Sequence, residues 1–296
     1  MSAKDLERQK QSVDNTAKMT QALQTISAIK LGRARNRLDR IRPYTDNMQE
    51  MMQDIARGAQ SNNPLFVGRE EVNTICVCTV TSDRGLAGAF NSQVLRQAMD
   101  FVEQQSADIV YLATGRKAVE FFNFRSVNLD EVYTGFSDSP PYEKAQEIGQ
   151  RLTELFHNEE ADEVYLFYQQ FRSALSQDPT YIRLLPVAPG DDTGEEEGGE
   201  EEEEEGGGNP FEFIPEPDVL IDRLVPRYVE TLVFRALVES AAGEHGARMA
   251  AMQNATDSAN EMSESLTQQI NKARQAAITQ EIVEIAAAME ALGMMG

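Results

Sequence analysis

Two narrow seams, one at each end of this sequence, restrict its fold more than any other feature. In residues 3–59, Val13, Thr16, Thr20, Leu23, Ser27, Leu31, Ala34, Leu38 and Ile41 recur every three or four positions. In residues 217–292, Met252, Ala255, Ala259, Met262, Leu266, Ile270, Ala273 and Ala277 do the same. A stripe this narrow is what one helix offers to a single partner helix. The first stretch contains one proline, Pro43, and Gly58 followed by SNNP (61–64) marks its end. The second contains Pro226 near its start. At about 1.5 Å per residue, residues 229–292 alone would extend nearly 100 Å, too long to hide in a compact domain of this size. Two such helices at opposite ends predict an antiparallel pair, with the rest of the chain inserted between them.

The inserted part alternates. VNTICVCTVT (72–81), ADIVYLAT (107–114) and DEVYLFYQQ (162–170) read as strands. Residues 91–105 and 142–157 read as helices. Alternation of this kind predicts an open α/β, Rossmann-like sheet. The expected fold is therefore α/β: a long antiparallel coiled coil of N- and C-terminal helices carrying an inserted open α/β domain. The expected division is 1–62 for the N-terminal coiled-coil helix, 63–215 for the α/β domain and 216–296 for the C-terminal coiled-coil helix. Within the middle part, residues 189–210 hold eleven acidic residues, no basic ones and many glycines. Such a composition buries nothing, so residues 190–209 are expected to be a disordered acidic loop.

Charge and cysteine content narrow the functions. A formal charge of -22 argues against nucleic acid or anionic lipid as a direct partner, because phosphate backbones need a basic surface. Cys76 and Cys78 lie two apart in a strand and would face the same way, a poor arrangement for bonding to each other. A reducing compartment is expected. MSAKDLERQK has no apolar run, so no signal peptide is expected, and no stretch is apolar enough for direct membrane insertion.

Candidate chemistry is sparse. TSDRGLAGAFN (81–91) joins a strand to a helix, where glycines let a backbone approach phosphate. Gly85 and Gly88 do not complete a dinucleotide or P-loop pattern, so a tight turn is the better reading. His157, His245 and the cysteines show no metal-ligand spacing, and the histidines read as surface or helix-face residues. Met249, Met252 and Met262 read as seam residues. Arg33, Arg35, Arg37, Arg40 and Arg42 crowd one helix segment; a belt meeting an acidic protein partner and a solvated helix face account for them equally. No metal and no cofactor is expected.

Several stretches resemble the gamma subunit of F-type ATP synthases. They are DNTAKMTQALQTISAIKLGRARNRLDRIRPY (14–44), TSDRGLAGAFN, ESAAGEHGARMAAMQNATDSANEM (239–262) and NKARQAAITQEIVEI (271–285). The turn differs from the family's usual Cys-Gly-Gly in having Ala87, Gly88 and Ala89. The resemblance implies a rotor's central shaft without catalytic residues of its own. Its terminal helices would wind together inside a ring of alpha and beta subunits. Its α/β domain would rest on the c-subunit membrane ring beside the epsilon subunit, driven by proton or sodium flow. It implies a peripheral position on the cytoplasmic face of the bacterial inner membrane. Carried over by position, Arg274, Gln275, Thr279 and Glu281 would grip a beta subunit. Ile285, Ala288, Met289 and Leu292 would form a slim bearing tip, alanine giving the thinnest well-formed helix. Lys30, Arg33, Phe213 and Pro215 would meet the ring or epsilon, although proline stands at Pro215 where aromatic residues are usual. The competing reading is an α/β nucleotide-binding protein with coiled-coil arms, and it rests on the turn at Gly85.

Overall fold

The computed structural model describes residues 3–58, 64–69, 71–187 and 217–293. The chain forms two compact units, one from residues 1–26 and 249–296, the other from residues 27–248. Helices α1 (Ala3–Gly58) and α6 (Pro217–Gly293) contribute to both. Both terminal helices expected from the seams are present, each continuing through its proline.

The larger unit is built on five strands: β1 (Thr74–Val80), β2 (Asp108–Thr114), β3 (Glu131–Tyr133), β4 (Glu163–Phe171) and β5 (Gln177–Leu185). Their order is β3-β2-β1-β4-β5, with the first four parallel and β5 antiparallel to β4. The shorter helices of this unit are α2 (Pro64–Val67), α3 (Phe90–Val102), α4 (Arg116–Phe124) and α5 (Tyr142–His157). Strand alternation sends Ile75, Val77 and Phe167 to a layer with Val94 and Ala98 of α3. It sends Cys76, Cys78, Leu112 and Leu166 to the opposite layer, with Ile148 and Leu152 of α5 and Val229 and Val233 of α6. The two cysteines thus share a face, as expected, and both are buried free thiols. Burial pushes the Cys78 thiol up to about 12, so it is unreactive at neutral pH.

Elements that the sequence reading passed over have short or interrupted signals. Strand β3 is three residues long, and β5 contains Pro179, which is tolerated because β5 lies at the sheet edge. Gly115, between β2 and α4, has φ +91, and a Cβ there would lie 2.1 Å from the Thr81 carbonyl oxygen. Only glycine fits where those two strand ends meet.

Along α6 the surroundings change. Between Tyr228 and Gly246 almost every residue is buried, charged ones included. Arg235 bonds Glu239 at 2.8 Å, and Arg248 bonds Glu244 at 2.5 Å while donating to the Gly85 carbonyl at 3.2 Å. Buried charges persist because each is paired and hydrogen-bonded. His245, expected on a surface or open helix face, is instead 1% exposed, and its Nε2 lies 3.2 Å from the Asp138 carbonyl oxygen. Burial holds its imidazole below the usual range. The correction has a simple cause: the small residues around it, Ala241, Ala242, Gly243 and Gly246, let neighbouring loops close over the helix. A Cβ on Gly246 would sit 2.7 Å from the Ala174 carbonyl oxygen.

Candidate functional site

In the smaller unit α1 and α6 run side by side and antiparallel. Thr20 and Thr256 share a hydrogen bond of 2.6 Å between their hydroxyls. Gln24 donates to Gln253, and Ser263 donates to Asp14 at 2.5 Å. Lys10, 2.8 Å from Asp14, and then Ser263 hold the Asp14 carboxyl below the usual range. The seam between these rungs alternates fours and threes: Leu6, Val13 and Thr20 on α1, Met252, Thr256, Ala259, Ser263 and Leu266 on α6 are buried or half-buried. That is a 3.5-residue repeat, the signature of supercoiled helices. Three expected seam residues fall outside it, Ala277 beyond the last rung and two within the paired stretch. Thr16 is exposed, with Ala17 in its place, and Met262 is 52% exposed, with Ser263 turned inward. The strict four-three alternation moves the contact by one residue at each point.

The rungs fix the register of the pairing. Their positions sum to 276 (20 + 256) or 277 (14 + 263, 24 + 253), so Ala3, the first described residue of α1, stands level with Ala273 or Arg274. Ile270 and Ala273 are half-buried, whereas every residue from 274 to 289 is exposed, Ala277 included. The helix runs on for sixteen residues (274–289), about 24 Å, with bare surface on all sides.

This bare segment holds the expected beta-contact group. Arg274, Gln275, Thr279 and Glu281 are all exposed, and among the described residues none of them contacts another element. The Thr279 hydroxyl donates to the Gln275 carbonyl at 2.9 Å, leaving its oxygen free to accept. At roughly 100° per residue, Ile278, Ile282, Ile285 and Met289 fall within about 60° of one another. They form an apolar stripe, with side chains 49%, 61%, 61% and 66% exposed, while Val283, 55% exposed, stands off it by about 100° or more. Arg274 stands at its head, Gln275 and Thr279 along one border, and Glu281 and Ala288 along the other. The segment is therefore less uniform than a smooth bearing, because its apolar bulk is directional. Leu292 lies within α6.

The expected foot contacts divide. Lys30 is committed inside the larger unit, with Nζ 2.7 Å from both carboxylate oxygens of Asp138, while Arg33 is exposed. Phe213, Pro215 and the acidic run 190–209 lie outside the described residues. Of the arginine cluster, Arg37 stacks over the Phe234 ring at 5.1 Å, whereas Arg33, Arg35, Arg40 and Arg42 are exposed.

The turn at Gly85 is closed by its own side chains. The Asp83 carboxylate accepts from the backbone N–H groups of Gly135 (2.9 Å), Ser137 (3.0 Å) and Arg116 (3.2 Å). Burial works against its charge, but these donors hold the Asp83 carboxyl below the usual range. They include the N–H of Arg116 at the start of α4, which ties the turn to the end of β2. Asn91 accepts from the Ser82 N–H at 2.8 Å, tying the turn to α3. The tight-turn reading fits this geometry. Sequence reasoning missed Asp83 and Asp138 as organising carboxylates. The four-residue spacing of Arg235 with Glu239 and of Glu244 with Arg248 was the one local signal of the buried charge pairs.

Comparison with known proteins agrees with this architecture. A family model described as ATP synthase matches residues 2–292. The chain is 56% identical over 292 residues to the ATP synthase gamma chain of Rubrobacter xylanophilus, covering 98% of each sequence. It is 37% identical to that of Desulfitobacterium hafniense, covering 98% of this chain and 99% of the relative. Among solved structures, a chain of the Euglena gracilis mitochondrial ATP synthase (OSCP/F1/c-ring, rotational state 3) superposes with a TM-score of 0.68 at 16% identity, over 97% of this chain and 94% of the other. A chain of the Tetrahymena thermophila mitochondrial ATP synthase central stalk and c-ring gives 0.59 at 21% identity, over 80% and 99%.

Proposed function

The chain belongs to the gamma-chain family of ATP synthases, and from that premise we propose that the bare end of α6 is the working tip of a rotor shaft. The subunit is non-catalytic, and it couples rotation to ATP synthesis or hydrolysis performed by other chains. The observation that carries the proposal is the run of exposed residues from 274 to 289, which no described element of the subunit covers. A helix with four large apolar side chains on one side is not left in water without a partner. The partner assigned to it is the ring of alpha and beta subunits.

A one-sided stripe suits a shaft better than a uniform surface would. Hydrophobic contact is non-directional in itself, so a helix that was greasy all round would favour no angle. With the stripe on one side, rotation presents apolar bulk to one beta subunit at a time. Arg274, Gln275, Thr279 and Glu281 add donors and acceptors along its borders. Each charge-assisted hydrogen bond contributes roughly 1.5–3 kcal/mol, enough to set an angular preference and small enough to be broken in each cycle.

The finer partners follow the same reading. The α/β domain meets the epsilon subunit and the c-subunit ring, with Arg33 the expected foot residue still available for contact. By the same reading this chain sits peripherally on the cytoplasmic face of the bacterial inner membrane; among the described residues no helix is long and apolar enough to cross a membrane. The test is rotational. The full chain is assembled with alpha and beta subunits, and a bead is fixed to the exposed face of α4. ATP should turn the bead in one direction, and substituting aspartate for Ile282 and Ile285 together should stall it or reduce its torque. Normal rotation in that variant would show that the stripe is not the working surface.

A further inference from the structure

Within the larger unit, α1, α6 and the loop leading to α5 enclose a cleft of about 270 Å³. Lys30, Arg33 and Arg37 line it from α1, at spacings of three and four that put them on one helix face. Asp138 and Ser139 come from the loop, and Ala34, Pro140, Val238 and Ala241 supply an apolar floor. The charges do not balance. Lys30 neutralises Asp138 through contacts of 2.7 Å to both oxygens, and His245 Nε2 stands 3.7 Å from the same carboxylate. Two guanidiniums are left over. Arg37 is held by its stack on Phe234, which fixes its plane without using its donors. Arg33 has no ion-pair partner among the described residues. Arg84, exposed on the turn, adds a third positive field at Asp138.

We propose that this cleft binds a phosphate-type oxyanion, held between the Arg33 and Arg37 guanidiniums with the Ser139 hydroxyl as a further donor. A lone carboxylate satisfies one guanidinium fork. Two forks four residues apart offer two charges and more donors than it can accept, and a tetrahedral dianion matches both. In a chain with a formal charge of -22, a concave site with two uncompensated arginines is a local inversion of the field. The chemistry fits free phosphate, and the apolar floor leaves room for a phosphate ester with a small apolar body. The assignment shares Arg33 with the foot contact proposed above but uses none of residues 274–289, and the cleft is complete within the larger unit, so binding by the isolated chain is tested apart from the rotor reading.

The test uses the full chain in a dilute chloride buffer, titrated first with inorganic phosphate and then with phenyl phosphate, followed by calorimetry and phosphorus NMR. Saturable binding of inorganic phosphate with a dissociation constant of about 1 mM or tighter is expected, and Arg33→Gln should weaken it by roughly tenfold or more. Arg33→Lys, which keeps the charge but not the fork, should fall between the two. Arg125→Gln, far away over Phe121, should change nothing. Tighter binding of phenyl phosphate assigns the site to esters, and equal binding assigns it to free phosphate; both keep the site. Arg33 is exposed and stacks on nothing, so Arg33→Gln should fold normally and decides the matter even if Arg37→Gln loosens its packing on Phe234. Equal affinity in the Arg33→Gln variant and the original chain, or no saturable binding of either probe, overturns the proposal.

Discussion

Ending the chain after Ala273 separates what α6 does for the subunit from what it does for its partners. Residues 274–289 are all exposed, and the side-chain hydrogen bonds within the segment are local: Thr279 to the Gln275 carbonyl, and Gln280 to Glu284 at 2.8 Å. Among the described residues, their removal takes no buried side chain from the rest of the chain. The expected change in unfolding free energy is under about 1 kcal/mol, or less than roughly 4 °C in melting temperature for a chain of this size. The cost for the assembled complex is different. Ile278, Ile282, Ile285 and Met289 expose between 49% and 66% of their surface. Full burial of such a side chain contributes roughly 1.5–3 kcal/mol, so covering the exposed fraction of all four amounts to about 3–7 kcal/mol. Association costs reduce that figure, and the loss in affinity for the alpha and beta subunits should still reach a hundredfold or more. The assay pairs thermal unfolding of the isolated chain with binding and ATP turnover after mixing with alpha and beta subunits. Leu266→Ala, at a position 4% exposed, is the control that should cost the subunit itself about 2 kcal/mol or more. The reasoning fails if truncation lowers the melting temperature as much as Leu266→Ala does, because the tail would then be docked on its own subunit.

Three further outcomes are expected. Arg274→Ala combined with Gln275→Ala should leave the helical circular dichroism of the subunit unchanged, since both side chains are exposed, while coupled synthesis and hydrolysis fall severalfold; unchanged turnover would make these residues mere solvated surface. Gly246→Ala should destabilise the chain by about 1–3 kcal/mol in chemical denaturation, because a Cβ there lies 2.7 Å from the Ala174 carbonyl oxygen, and a neutral result would mean that the loop yields freely. At Asp162, burial raises the carboxyl, but Arg69 at 2.6 Å and the N–H groups of Thr74 and Asn73 at 2.9 and 2.8 Å more than offset it, so its native value is depressed. Its contribution is therefore present above about pH 4 and is lost as pH falls through the depressed value; the stability gap between the original chain and Asp162→Asn should shrink on acidification, and a gap that widens below pH 4 would reverse the sign.

The sequence by itself determined the elements with long periodic signals. Seams that repeat every three or four residues mark the middle of α1 and the second half of α6, because helix amphipathicity is a local, one-dimensional property. The β-branched runs define β1, β2 and β4 for the same reason, and the KARQAAIT segment is recognisable without any structure. The tertiary structure decided what these elements meet. Nothing local says that Ala3 stands level with residue 273 or 274, or that Arg274 and the stripe from Ile278 to Met289 are exposed. Nothing local separates Thr16 from Ala17, or Met262 from Ser263, because supercoiling selects the 3.5-residue repeat only once both helices are in place. His245 looks like any helix-face histidine until small residues on α6 let the Asp138 loop close over it. The Asp83 carboxylate fills donors contributed by residues 33 to 54 positions away, so the closure of the Gly85 turn is a property of the packed sheet and not of the turn's own sequence.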